Sequence, residues 1–222
     1  KELTQAQLEQ LLAPVALYPD ALLAQILMAS TYPLEVVEAA RWRKANPNLK
    51  EKALDDALMT QPWDESVKSL TTFPPVLEMM NEKLSWTQQL GDAFLADQQR
   101  VMNAVQKLRK AANDTGNLKS TKEQVVVVEQ AASETVIKIE PADPQVVYVP
   151  SYNPTVVYGT WPYPAYPPYP YYPPGYAPGA AFWTFTAGVV VGAALWGNCN
   201  WGRGEVEINN SFNRSTSVTG GD

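Results

Sequence analysis

From residue 144 to residue 202 the chain runs for 59 residues without a single Asp, Glu, Lys or Arg. Across the whole chain 18% of residues are charged. At that frequency such a run arises by chance roughly once in 10^5 trials, so it has a cause. Segments that only link domains through water keep polar or charged side chains. This one is rich in aromatic residues, valine and glycine, which suits a partner's surface, a lipid phase or contact between copies.

The 143 residues before the run read differently. Up to about residue 116 the apolar positions recur at helical spacing, and capping signals mark helix starts. Thr4-x-x-Gln7 and Ser85-x-x-Gln88 both fit the capping box, in which a hydroxyl and an amide satisfy orphan backbone N–H groups. Tyr18-Pro19, Tyr32-Pro33 and Phe73-Pro74 place proline where its missing N–H is harmless, at a first helical position. Leu22, Leu23, Ile26 and Leu27 form one apolar face, and Val36, Val37, Ala40 and Trp42 part of another. After Ser85, Leu90, Phe94, Val101, Val105, Leu108 and Ala112 predict one continuous helix of about 28 residues, roughly 42 Å long, stopped at Gly116.

Beyond Lys122 the pattern changes to β-branched runs at 125–128, 136–139, 146–149 and 156–158. Separated by turn-forming residues, these predict a small antiparallel sheet. Residues 161–178 hold eight prolines and six tyrosines, which excludes helix and central strand and favours an extended polyproline conformation. The fold class expected is thus α+β. The helical head occupies 1–122 and the β section 123–160. A Tyr/Pro-rich extended segment (161–178), an apolar Gly/aromatic segment (179–197) and a polar tail (198–222) follow, with a short strand at 205–209.

Composition narrows the chemistry. Histidine is absent, which removes the commonest general base and nitrogen ligand, and the one cysteine, Cys199, allows no internal disulfide or Cys-rich metal site. Cys199 is either a spare thiol or an intermolecular bridge. The carboxylate neighbours Asp55-Asp56 and Asp64-Glu65 suit solvated helix faces and first helical turns better than acid/base pairs. No Gly-x-Ser-x-Gly, Ser-x-x-Lys or phosphate-cradling loop occurs. A net charge of −6 without a basic stripe argues against nucleic acid. The expectation is a non-enzyme with no cofactor, no metal and no evident small-molecule substrate.

Two surfaces remain as candidates for contact. Tyr163, Tyr166, Tyr169, Tyr171, Tyr172 and Tyr176 line the Tyr/Pro segment, which is either a rigid spacer or a ligand for an aromatic groove. Trp183, Thr184, Phe185, Gly188, Gly192 and Trp196 mark the segment 180–196, 17 residues long and at the lower bound for a membrane span. Were it helical, Thr184, Gly188 and Gly192 would share one face at four-residue spacing, and Trp183 and Trp196 would stand at two interfaces. The competing readings are a Gly-rich strand or hairpin within the protein's own core, and a loose linker.

Several stretches resemble a known family. The run LLAPVALYPDALLAQILMASTYPLEVVEAARW at 11–42, then WDESVKSL, SWTQQLGDAFLADQQRVMNAVQKLR, GNLKST, PADPQVVYVPSYNPTVVYG and GAALWGNCNWGRG, is similar to a bacterial exported-protein family catalogued only as a domain of unknown function. The resemblance implies a Gram-negative envelope protein made with a signal peptide, in the periplasm, on a membrane or secreted. It assigns no activity and no site residue. The leading expectation is a non-catalytic envelope scaffold that forms homo-oligomers or contacts membrane through its uncharged half. The alternative is a soluble binding module whose Tyr/Pro strip docks on another envelope protein or polymer.

Overall fold

The computed structural model describes residues 2–131, 133–169, 183–191 and 198–208. The architecture is α+β, with the helices gathered in the N-terminal half. In order they are α1 (Gln5–Leu12), α2 (Asp20–Ala29), α3 (Pro33–Ala45), α4 (Glu51–Leu58), α5 (Glu65–Leu70), α6 (Pro74–Glu82), α7 (Leu84–Ala96) and α8 (Gln98–Asp114).

Local chemistry sets most of the helix ends. Thr4 and Gln7 complete the capping box of α1, each side chain meeting the other's backbone N–H at 3.2 and 2.9 Å. Pro33 and Pro74 occupy first helical positions in α3 and α6, as their sequence contexts predict. Asp64 caps α5 by accepting from Ser66 N at 3.1 Å, and Glu65 opens its first turn. At the end of α8, Gly116 adopts φ 77°, where a Cβ would be strained. Its N–H donates to Asn113 O and that of Asn117 to Ala112 O, the pair of bonds of a Schellman stop.

Three expectations about these helices are corrected. The long helix after Ser85 is two helices, α7 and α8, broken at Asp97. That residue is extended (φ −163°, ψ 96°), and its carboxylate accepts from Arg100 N at 3.0 Å, so it caps α8 instead of continuing α7. The break lets both helices pack against α1. Ser85 lies inside the first turn of α7, whose N-cap is Lys83, so no capping box forms there. Pro19 precedes α2 rather than opening it, and Asp20 takes the first helical position.

α2 is the centre of the head. Leu22, Leu23, Ile26 and Leu27 have no solvent exposure, and α5, α7 and the β section all contact the helix. Apolar residues around its whole circumference are what a core helix requires. Each such side chain stabilises the fold by about 1.5–3 kcal/mol relative to exposure.

The β section consists of two-stranded antiparallel ladders rather than the single small sheet expected. β1 (Gln124–Ala131) and β2 (Glu134–Pro141) form an eight-pair hairpin. β3 (Val146–Val147) and β4 (Pro150–Tyr152) do not join it. They pair with β6 (Val189–Val190) and β5 (Trp183–Phe185), bringing part of the Gly/aromatic segment back beside residues 146–152. Residues 156–158 form a turn, not the predicted strand, because Asn153 Oδ1 accepts from Thr155 N and Asn153 O from Val157 N. β7 (Asn198–Asn200) and β8 (Glu205–Glu207) make a further hairpin, so the strand expected at 205–209 is present over its first three residues. Ile137, Ile139, Tyr152 and Tyr158 are all buried in the same core as the helices, so residue 122 marks no gap in the packing.

Candidate functional site: an aromatic seam

Ala13 ends α1 in a buried turn, and its carbonyl is the anchor of the site. Tyr152, at the end of β4, donates to Ala13 O at 3.1 Å and accepts from Leu17 N at 3.3 Å. Tyr158, from the turn after β4, donates to the same oxygen. Burial raises both phenols well above their ordinary ionisation range, so they stay neutral and remain donors.

From this anchor the rings continue outward in two branches. Tyr152 stacks on Trp183 with centroids 5.3 Å apart and planes within 15°. Trp183 meets Phe185 edge-on at 5.8 Å, and Phe185 meets Tyr148 at 6.4 Å. On the other side Tyr158 leads to Trp161 at 5.9 Å, and Trp161 to Tyr163 at 5.9 Å. Such edge-to-face and offset contacts hold the rings in set orientations and contribute about 0.5–1.5 kcal/mol per pair beyond area burial. Trp161, Tyr163, Trp183 and Phe185 are each half-buried, so each shows part of its surface to solvent. The Trp183 Nε1–H is buried and has no acceptor among the described residues.

The first half of the Tyr/Pro segment is fastened to the head. Tyr163 donates to Glu9 Oε2 at 2.6 Å, and Lys107 Nζ donates to the Tyr163 hydroxyl at 2.9 Å and to Glu9 at 3.2 Å. Lys107 also lies 5.5 Å from the Tyr163 ring centroid. The hydrogen bond to Tyr163 is the main influence holding the Lys107 ammonium above its ordinary pKa. Gln10 then grips the strip twice, donating to Pro167 O at 2.8 Å and accepting from Tyr169 N at 3.2 Å. Trp161 Nε1 donates to Tyr166 O at 2.8 Å, leaving the Tyr166 ring exposed.

The remaining predicted residues fall as follows. Thr184 pairs with Ser151 inside the β4–β5 ladder. Gly188 lies before β6, where an added Cβ would come within 2.6 Å of Val146 Cγ1 and 2.9 Å of Tyr148 Cζ. Its small size serves an approach within the chain, and Trp183 and Thr184, expected on a helix with Gly188, lie instead in strand β5. Between the two ladders Tyr148 and Val149 face Thr186, Ala187 and Gly188, a one-residue bulge in which Thr186 Oγ1 accepts from Val149 N at 3.1 Å. Among the described residues no helix is long and apolar enough to cross a membrane. Tyr171, Tyr172, Tyr176, Gly192 and Trp196 lie outside the described residues.

Sequence reasoning missed the head residues that receive the strip, Glu9, Gln10 and Lys107. It also missed the buried cluster beneath the seam. Arg109 is wholly buried and donates to Ala16 O, Tyr18 O and Ile137 O, and to Asp20 Oδ1 at 2.5 Å. Trp201 closes it, its Nε1 donating to Asp20 Oδ2 at 2.9 Å and its ring lying 5.0 Å from the guanidinium. The Cys199 thiol donates to Asp20 O at 3.3 Å, and burial, reinforced by Asp20, raises its pKa well above normal. That environment supports the spare-thiol alternative over an intermolecular bridge.

Comparison with known proteins adds a family but no activity. The chain is 45% identical over 228 residues to the uncharacterized protein YacH of Escherichia coli (strain K12), an alignment covering 88% of this chain and 37% of YacH. The chain therefore spans little more than a third of that relative's length. No solved structure matches. A family described as "Protein of unknown function (DUF3300)" matches residues 4–220, and the chain belongs to that family.

Proposed function

We propose that this protein is a non-catalytic contact protein of the bacterial envelope, whose uncharged half presents fixed aromatic rings to another envelope protein or polymer. The observation that carries the reading is the fastening of the Tyr/Pro strip. Tyr163 and Tyr169 are tied to α1 and α8 while Tyr166 faces outward. A ring already held in place loses little entropy on binding, which is why rigid tyrosines and tryptophans serve as contact anchors. The exported location rests on the family resemblance of the sequence.

Cosedimentation of the purified full chain with isolated cell-wall polymer and with envelope membrane vesicles tests this. Retention by one of them, reduced at least severalfold by Tyr166→Ala together with Trp161→Ala, supports the seam. Retention by neither, or retention indifferent to both substitutions, removes the proposal.

Self-association is a second reading, favoured by Val190, which is 56% exposed on the two-residue strand β6. Under it, sedimentation velocity shows an oligomer that Val190→Lys weakens.

A further inference from the structure

The β1–β2 hairpin has two edges, and they are finished differently. On the β2 side the head takes three outward backbone groups, Ile137 N, Ile137 O and Ile139 N. Gln106 accepts from Ile137 N at 2.8 Å and donates to Ile137 O at 2.9 Å, so its amide imitates a neighbouring strand. Asp20 Oδ1 accepts from Ile139 N. Ile137 and Ile139 therefore turn their backbone groups away from β1, and their partners across the ladder, Val128 and Val126, must do the same on the opposite side.

On the β1 side the covering is incomplete. Ser120 Oγ accepts from Val126 N at 2.8 Å and donates to Val126 O, and Thr121 N donates to Gln124 O at 2.9 Å. By the same alternation Val128 and Gln130 are next in line, and neither backbone N–H nor C=O of either residue has a partner outside the hairpin among the described residues. The side chains agree with the backbone. Along one face burial falls from Gln124, 1% exposed, through Val126, half-buried, to Val128, 47% exposed. The far end of the hairpin thus stands clear of the head with an open edge, an arrangement that folded proteins otherwise cap or blunt.

Charge selects what fits there. Residues 123–141 carry four glutamates, Glu123, Glu129, Glu134 and Glu140, against one lysine, Lys138. Glu129 lies between the two open positions, and Lys138 bridges to it at 3.1 Å. A second copy bonding Val128 and Gln130 to its own Gln130 and Val128 would set Glu129 directly opposite Glu129, an unfavourable pairing. Shifting the register to oppose Val128 with Val128 would run Gln130 into the Ser120 cap on Val126. From this geometry we infer that the open edge of β1 receives an extended strand from a different polypeptide, with β-branched residues flanking a lysine or arginine opposite Glu129. Backbone bonds to Val128 and Gln130 supply the attachment and the cation supplies selection. The site is separate from the aromatic seam, so either can fail without the other.

The test uses the full chain and two nine-residue peptides of alternating threonine and valine, one with a central lysine and one with a central glutamate. Amide hydrogen exchange is read at Val128 and Gln130. The lysine peptide is expected to slow exchange at both amides and to bind about threefold tighter than the glutamate peptide, the scale of an exposed ion pair. Glu129→Lys should reverse that preference. Val128→Pro removes only an outward N–H, leaves the hairpin bonds in place and should abolish binding. Three results would overturn the inference: no protection by either peptide at millimolar concentration; protection in the free chain that grows with protein concentration, which assigns the edge to a second copy; or protection in the free chain independent of concentration, which assigns it to the chain's own residues.

Discussion

Arg109 Nη1 lies 2.5 Å from Asp20 Oδ1, with both side chains withdrawn from water. Three carbonyls and the Ile139 N–H complete the arrangement, so neither charge is left without compensation. Asp20→Ala should cost about 3–5 kcal/mol by stranding a buried guanidinium. Arg109→Met should cost a similar amount by leaving the Asp20 carboxylate buried without its cation and orphaning Ala16 O and Tyr18 O. The double variant should cost clearly less than the two single losses together, measured by urea unfolding. Additive losses would show that the pair is not coupled.

Tyr152 and Tyr158 share one acceptor, and that sharing makes a distinct prediction. Tyr158→Phe leaves Ala13 O one donor and should cost about 0.5–1.5 kcal/mol, and Tyr152→Phe, which also removes the acceptor of Leu17 N, should cost more. The double variant leaves the oxygen buried and unpaired, so its loss should exceed the sum of the single losses. Thermal unfolding of the three variants decides this.

Attachment of the Tyr/Pro strip should depend on alkaline pH. Lys107 has a raised pKa in the folded protein, chiefly through its hydrogen bond to Tyr163. Its stabilisation is therefore fully present below the unfolded lysine value of 10.5 and is lost as pH rises through the folded value. The side chain is 55% exposed, so the effect on global stability is small and is best read locally. NMR titration of Lys107 should show a return toward the ordinary value in Tyr163→Phe.

Asp97 should behave as a cap rather than as a solvated helix residue. Asp97→Ala removes the acceptor for Arg100 N and should cost about 0.5–2 kcal/mol in thermal unfolding. Asp97→Asn, which keeps an acceptor oxygen, should recover most of that loss.

Residues 2–122 expressed alone should be poorly folded. Removal of the rest uncovers Ala13 O, strips Ile137 O and Trp201 from the Arg109–Asp20 pair and exposes the surface that Ile139 and Tyr158 cover. Circular dichroism and solubility measure the outcome. A cooperative, soluble helical fragment would show that the β section is an accessory to the core.

Helix starts that depend on one residue's covalent form were legible in advance. Pro33 and Pro74 cannot donate at an interior position, and Gly116 tolerates a left-handed turn, so the chain announces those boundaries locally. The division at Asp97 was hidden because periodic apolar residues continue across it, and only packing on α1 explains why the cap prevails. The seam was half legible. Tyr163, Tyr166 and Tyr169 stood out by composition, but their receivers Glu9, Gln10 and Lys107 are ordinary polar residues of amphipathic helices. Likewise β5 and β6 could not be told from a short apolar helix by hydrophobicity alone. Their partners lie in residues 146–152, across the intervening Tyr/Pro segment, and the pairing itself fixes their form.

Cys199 and Trp201 reach Asp20 across 179 and 181 positions of sequence. A chain emerging from synthesis or from a translocation channel, N-terminus first, would expose Asp20 and Arg109 long before the residues that close over them arrive. The polar centre stays open until residues 199 and 201 are available. Final closure thus marks the arrival of the β7–β8 hairpin, and a chain cut short before Cys199 would carry an unsealed core for quality-control proteases to find.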